Sequence, residues 1–136
     1  MHLDGARSWN AAMYLGIDMA EMLKDFDIVS VCLSKGMGCP IGSVVAGTQK
    51  DMIEARNMRK MFGGAMRQTG IFASCGLVSL MDWQEKITQD NLNAAYLAEE
   101  LASIPGIRID PTTVETNILR FEFEDSLMKH MRCDYH

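Results

Sequence analysis

The chain has 136 residues, 48% of them hydrophobic, with a formal net charge of −5 and a pI near 5.1. That length suits one ordinary domain rather than two full-sized ones. The acidic balance argues against a nucleic-acid or anionic-membrane surface, and no apolar run approaches the ~20 residues that span a bilayer.

The opening "MHLDGAR" reads as a strand end running into a turn. "SWNAAMYLGI" then predicts a short helix over 8–17, and "DMAEMLKDF" a second short helix or turn. "DIVSVCLS" (27–34) is continuous, apolar and β-branched, the pattern of a buried strand. The Gly-Pro-rich loop "KGMGCPIG" separates it from another strand, "SVVAGT" (43–48). "QKDMIEARNMRKMF" (49–62) has helical spacing, "GGAMRQTG" interrupts it, and "QTGIFASCGLVSLMDW" predicts an apolar, buried helix. "TQDNLNAAYLAEELASI" (88–104) predicts an amphipathic helix with Leu92, Ala95, Tyr96 and Leu101 on one side. Thr88 is its expected N-cap and Pro105-Gly106 its stop. "IRIDP" and "NILRFEF" finish as strands; Leu119, Phe121 and Phe123 alternate with Arg120, Glu122 and Glu124. The first half is α/β, and a change of character places a boundary near 86–90. Both ends read as cut, so a fragment of a longer protein is expected. No basic and apolar leader opens it.

Twelve methionines point to adaptable packing more than to a chemistry. The cysteines at 32, 39, 75 and 133 form no C-x-x-C pair. They read as reduced thiols in a reducing compartment, the cytoplasm, with the mitochondrion as the alternative. His130, Cys133 and His136 are spaced three apart, but no fourth ligand is evident, and no metal is assigned.

The chemistry centres on "LSKGMGCPIGS". A lysine at the end of a buried strand is unusual. Desolvation of an ammonium favours the neutral amine, and a neutral amine attacks an aldehyde to form a Schiff base. The glycines at 36, 38 and 42 leave room for a bulky aldehyde to approach the backbone. Pyridoxal phosphate is such an aldehyde, and it also needs an acid against its ring nitrogen. Asp4 stands upstream by about one α/β crossover, so Asp4 and Lys35 can close neighbouring strands. Arg7 is then placed for the ring's phenolic oxygen. Taken singly, each residue has a plainer reading: a snorkelling lysine, an Asp-Gly turn, a helix break in "GGAMRQTG". That last segment equally reads as an anion-binding helix start. It lacks the Lys-Ser ending of a nucleotide P-loop.

Together "HLDGARSWNAA", "CLSKGMGCPIGSVVAG" and "RKMFGGAMRQTG" resemble the low-specificity L-threonine aldolases, within the aromatic amino acid beta-eliminating lyase/threonine aldolase group. The likeness runs from His2 to about Phe121. It implies a fold-type-I architecture, the aspartate-aminotransferase-like fold of pyridoxal-phosphate-dependent transferases. Residues 1–87 would be the second half of the cofactor-binding large domain, and 88–136 the beginning of the small α+β domain. It implies aldol cleavage of L-threonine or L-allo-threonine to glycine and acetaldehyde, an amino-acid substrate, and a homo-oligomer. In this resemblance Lys35 matches the lysine that holds the cofactor covalently, Asp4 the partner of the pyridine nitrogen, and Arg7 the residue near the phenolic oxygen. Lys60 and Arg67 match basic residues near the cofactor phosphate or substrate, and in such enzymes these serve a neighbouring subunit's site. His2 is expected to orient Asp4 or pack. Cys39 stands where the family usually shows alanine. The family's phosphate-cradling loop, its ring-stacking histidine and its carboxylate-binding arginine are not in these residues. Two alternatives remain: another fold-type-I enzyme, such as an aminotransferase or beta-eliminating lyase, and a non-catalytic truncated product.

Overall fold

The computed structural model describes residues 1–126. In chain order the elements are β1 (His2–Asp4), α1 (Ser8–Leu15), α2 (Met19–Leu23), β2 (Ile28–Cys32), β3 (Ser43–Gly47), α3 (Gln49–Met61), α4 (Gly70–Ser79), α5 (Trp83–Ala102), β4 (Ile107–Arg108), a 3-10 turn (Pro111–Thr113) and β5 (Glu122–Phe123). Two compact units divide the chain, Met1–Ile87 and a second from Thr88 on. The cluster of His130, Cys133 and His136 lies outside the described residues.

In the first unit β2 is the middle of a three-stranded sheet, order β1-β2-β3. β1 pairs with it in parallel, Leu3 opposite Val29 and Asp4 opposite Ser30. β3 returns antiparallel, Ala46 opposite Val29 and Val44 opposite Val31. Side chains alternate across a strand, so Val29, Val31, Val44 and Ala46 share one face. They floor an apolar cleft of about 460 Å³ whose other wall includes Trp9, Leu23 and Phe26. On the other face Met52 of α3 packs at Gly47, where an added Cβ would stand 3.1 Å from the methionine Cε. α1 is tied by its buried Ala12 and by Trp9, which meets Trp83 edge to face at 5.0 Å. Both tryptophans are half-buried.

Helix starts and stops follow local chemistry. Asp18 caps α2 by accepting from Ala20 N–H at 2.7 Å, and Thr48 caps α3 by accepting from Asp51 N–H at 3.3 Å. Gly16 ends α1 in the left-handed region at φ +66°. Two helices differ from their sequence reading. α4 is apolar all round, yet Ile71 is 70% and Leu77 69% exposed; Gly76 and Ser79 are its buried positions. Apolar composition says that a helix can be buried, while the stripe that meets a neighbour is set by packing. α5 begins at Trp83 and is under way before Thr88. Gln84, Glu85 and Lys86 are good helix formers, and Lys86 pairs with Asp82 one turn back at 2.6 Å.

In the second unit Ala94 and Ala98 form the buried stripe of α5. The two expected strands shorten to a two-residue antiparallel pair, Ile107 opposite Phe123 and Arg108 opposite Glu122. Asp110 breaks the first, because its carboxylate accepts from the Thr112 hydroxyl at 2.6 Å and N–H at 3.0 Å. These bonds hold the Asp110 carboxyl below the usual carboxylate range. Phe121 and Phe123 sit two apart and meet edge to face at 5.3 Å, as alternation requires, although both are exposed.

Gly5 is a tight point of the first unit. A Cβ there would stand 3.1 Å from Ser30 O, 3.2 Å from Ser8 Oγ and 3.3 Å from Val29 Cγ1. Backbone at Ser30 cannot yield as a flexible side chain can. Gly5→Ala is therefore expected to lower unfolding free energy by about 1–3 kcal/mol, read from urea denaturation; an unchanged midpoint would contradict this packing.

Candidate active site

Because β1 and β2 are parallel neighbours, their carboxyl ends lie at the same end of the sheet. Asp4 closes β1. The ladder runs one residue further, with Gly5 N–H donating to Ser30 O at 2.7 Å. Asp4 Oδ1 accepts from Ala6 N–H at 3.3 Å, the local bond that makes Asp-Gly a turn. The Ser8 hydroxyl donates to Gly5 O at 2.9 Å, locking the turn into α1. Arg7 is the exposed residue just ahead of that helix. By alternation Asp4 shares a sheet face with Ser30 and Cys32.

Past Cys32 the chain forms a closed loop. Leu33 N–H donates to Gly42 O at 2.9 Å, Cys39 N–H to Leu33 O at 3.0 Å and Gly38 N–H to Lys35 O at 2.8 Å. Gly38 (φ +70°) and Gly42 (φ +124°) occupy backbone regions that a side chain disfavours. Lys35 therefore stands in the turn beyond the strand, and it is exposed. That corrects the expectation of a buried strand-end lysine: the loop gives its buried positions to Met37, 1% exposed, and Cys39.

Asp4 and Arg7 thus gather at one strand end and Lys35 follows the adjacent one. Lys60, in the last turn of α3, and Arg67, between α3 and α4, are exposed. Among the described residues no hydrogen bond or ion pair joins either to Asp4, Arg7 or Lys35. His2 lies on β1 opposite Ile28, exposed.

The sequence reads Cys32 as one more reduced thiol. Its Sγ lies 3.3 Å from Ser34 Oγ and 3.9 Å from Gly42 O. The Ser34 hydroxyl holds the Cys32 thiol below its ordinary range; burial opposes this, and the Lys35 charge adds to it. The available signal was the even spacing of Ser30 and Cys32, which puts the thiol on the Asp4 face.

The class these features define is an α/β protein whose polar groups gather beyond the carboxyl ends of parallel strands, where open α/β sheets bind ligands. The beta-eliminating lyase profile matches residues 1–124, and the chain belongs to that family, with the α/β architecture of fold type I. It is 42% identical over 125 residues to low-specificity L-threonine aldolase 1 of Arabidopsis thaliana, covering 92% of this chain and 35% of that protein. It is 41% identical over 101 residues to the low specificity L-threonine aldolase of Escherichia coli (strain K12), covering 74% of this chain and 30% of the relative. A solved structure from Exiguobacterium sp. 255-15, named for aromatic amino acid beta-eliminating lyases and threonine aldolases, superposes with a TM-score of 0.81 at 25% identity. It covers 90% of this chain and 34% of that one. A Listeria monocytogenes EGD-E structure named for L-allo-threonine aldolase gives 0.80 at 26%, with the same coverage. The chain spans about a third of the length of these relatives.

The Cys32 environment has a direct readout. A lowered thiol range means more thiolate at a given pH, and thiolate is the alkylating form. Iodoacetamide labelling of Cys32 is expected to rise at lower pH than that of a free cysteine, and Ser34→Ala to move the midpoint up. Peptide mass spectrometry across a pH series checks it.

Proposed function

We propose that these residues form the lysine-bearing wall of a pyridoxal-phosphate site, in an enzyme that cleaves L-threonine or L-allo-threonine to glycine and acetaldehyde. The observation that carries the reading is the placing of a carboxylate, Asp4, and an amine, Lys35, at the same end of two adjacent parallel strands. Members of this family generally use pyridoxal phosphate, and the donor set fits that group. Lys35 supplies an amine for its aldehyde. Asp4 is an acceptor for a protonated ring nitrogen, and one of its oxygens is engaged only by the long Ala6 contact. Arg7, whose guanidinium has no partner among the described residues, is a donor for an anionic oxygen.

When bound, pyridoxal phosphate supplies an electron sink for breaking the Cα–Cβ bond. The residues do the rest. Lys35 Nζ holds the aldehyde end. The Asp4 carboxylate keeps the proton on the ring nitrogen through a charge-assisted hydrogen bond worth about 1.5–3 kcal/mol. The Arg7 guanidinium donates to the phenolic oxygen. Lys60 and Arg67, both exposed, provide positive charge for a phosphate or a substrate carboxylate, at this site or at a neighbouring subunit's site in a homo-oligomer. We assign 1–87 to the large domain and 88–136 to the start of the small one. A reducing compartment, the cytoplasm or the mitochondrion, suits the free thiols. No helix among the described residues is long and apolar enough to cross a membrane.

Borohydride reduction after incubation with pyridoxal phosphate tests the lysine. Label is expected at Lys35 and absent in Lys35→Ala; label scattered over other lysines, or none, would overturn the assignment. The activity is tested by exchanging residues 1–124 for the matching segment of the Arabidopsis relative. The chimera is expected to release glycine and acetaldehyde from L-threonine, and Lys35→Ala within it to cut turnover by about a hundredfold or more. A keto acid product would assign the aminotransferase alternative.

A further inference from the structure

A cleft of about 470 Å³ lies between the Lys35 loop and α4, and two thiols line it, Cys39 from the loop and Cys75 from the helix. Cys39 is 6% exposed and Cys75 half-buried; both are free thiols. Nothing in the proposed aldol chemistry uses either, and the resemblance gives alanine at the Cys39 position.

Contacts around one carbonyl seat the loop on the helix. The Ser79 hydroxyl donates to Met37 O, and the Cys39 thiol donates to that same oxygen at 3.9 Å. Ser79 follows Cys75 by one helical turn, so the two share a face. Gly76, the neighbour of Cys75, abuts Leu33: a Cβ on it would lie 3.4 Å from Leu33 Cδ1. The Met37 carbonyl therefore brings Cys39 Sγ to the face of α4 on which Cys75 stands.

We propose that Cys39 and Cys75 are a modification site, a dithiol that peroxide closes to an intramolecular disulfide. The more exposed Cys75, as thiolate, attacks one peroxide oxygen. The O–O bond breaks, giving a sulfenic acid and, with one proton, a water. Cys39 then attacks the Cys75 sulfur, the S–O bond breaks, and hydroxide leaves as water with the Cys39 proton. Two thiols lose two electrons and one peroxide becomes two waters. A disulfide holds its Cβ atoms about 4 Å apart, so closure adds a covalent tie between loop and helix across the cleft. The turn that closes on Lys35 O through Gly38 N–H is then tied to the helix.

The test is peroxide treatment of the full 136-residue chain at low protein concentration, followed by alkylation of remaining thiols and digestion without reductant. A mass lower by two hydrogen atoms and a peptide joining Cys39 to Cys75 are expected, both reversed by dithiothreitol. Cys39→Ala and Cys75→Ala should each abolish the link, and Cys32→Ala should leave it. Amide exchange across 35–42 should slow in the oxidised chain and not in either variant. No linked peptide, a link to Cys32 or Cys133 in its place, or a link between two chains would overturn the proposal. The readout needs no cofactor, so absence of label at Lys35 would sink the reading of the strand-end site and leave this one standing.

Discussion

The parallel pairing of β1 with β2 is the constraint on which the site depends. Asp4 and Lys35 are far apart in sequence, and no direct contact joins them among the described residues. What fixes their common location is backbone: Asp4 opposite Ser30, and the ladder extended by Gly5 N–H to Ser30 O at 2.7 Å. A slip of one residue would send the Asp4 side chain to the opposite face. Gly5 guards against that slip, since its own close approach to Ser30 and Val29 is possible in one register.

The loop after β2 solves a different problem. It must carry a charged residue past the strand end while keeping a hydrogen-bonded backbone. Its closure between Leu33 and Gly42 continues the β2–β3 ladder by one pair, and the two positive-φ glycines let the chain double back. Burial of Met37, and the Ser79 bond to its carbonyl, anchor the interior of the loop to α4. The lysine is thus held by its backbone neighbours, leaving its long side chain in water.

Much of this was legible before any coordinates. The β-branched run 28–32 and the Gly-Pro punctuation after it specify strand, loop and strand from local chemistry, and the crossover length between Asp4 and Lys35 specifies a parallel pairing. What the sequence left open concerns what each element meets. The apolar run 68–83 reads as buried, yet α4 turns Ile71 and Leu77 to solvent. Thr88 reads as a cap, yet the helix starts at Trp83, because nothing between them opposes helix. The alternation in 117–123 is real, as the Phe121–Phe123 contact shows, but the ladder is two residues long because Asp110 bonds its own turn. Lys60 is recognised by resemblance alone, and Arg67 by resemblance and by the anion-binding reading of "GGAMRQTG"; periodicity carries no information on where an exposed cation points.

Exposure of the acid and the amine bears on how the proposed chemistry is tuned. In water two such charges interact weakly: about 1 kcal/mol at 4 Å, against about 4 kcal/mol at an effective dielectric of 20. A planar aldehyde held between Asp4 and Lys35 would itself displace water from both groups, so desolvation would arrive with the ligand. On this reading the sheet supplies direction and spacing, through hydrogen bonds that do not involve the reactive side chains. Those side chains stay solvated until the site is filled. That division of labour accounts for a close-packed backbone at Gly5 and a positive-φ turn at Gly42 beside functional groups that have few partners of their own.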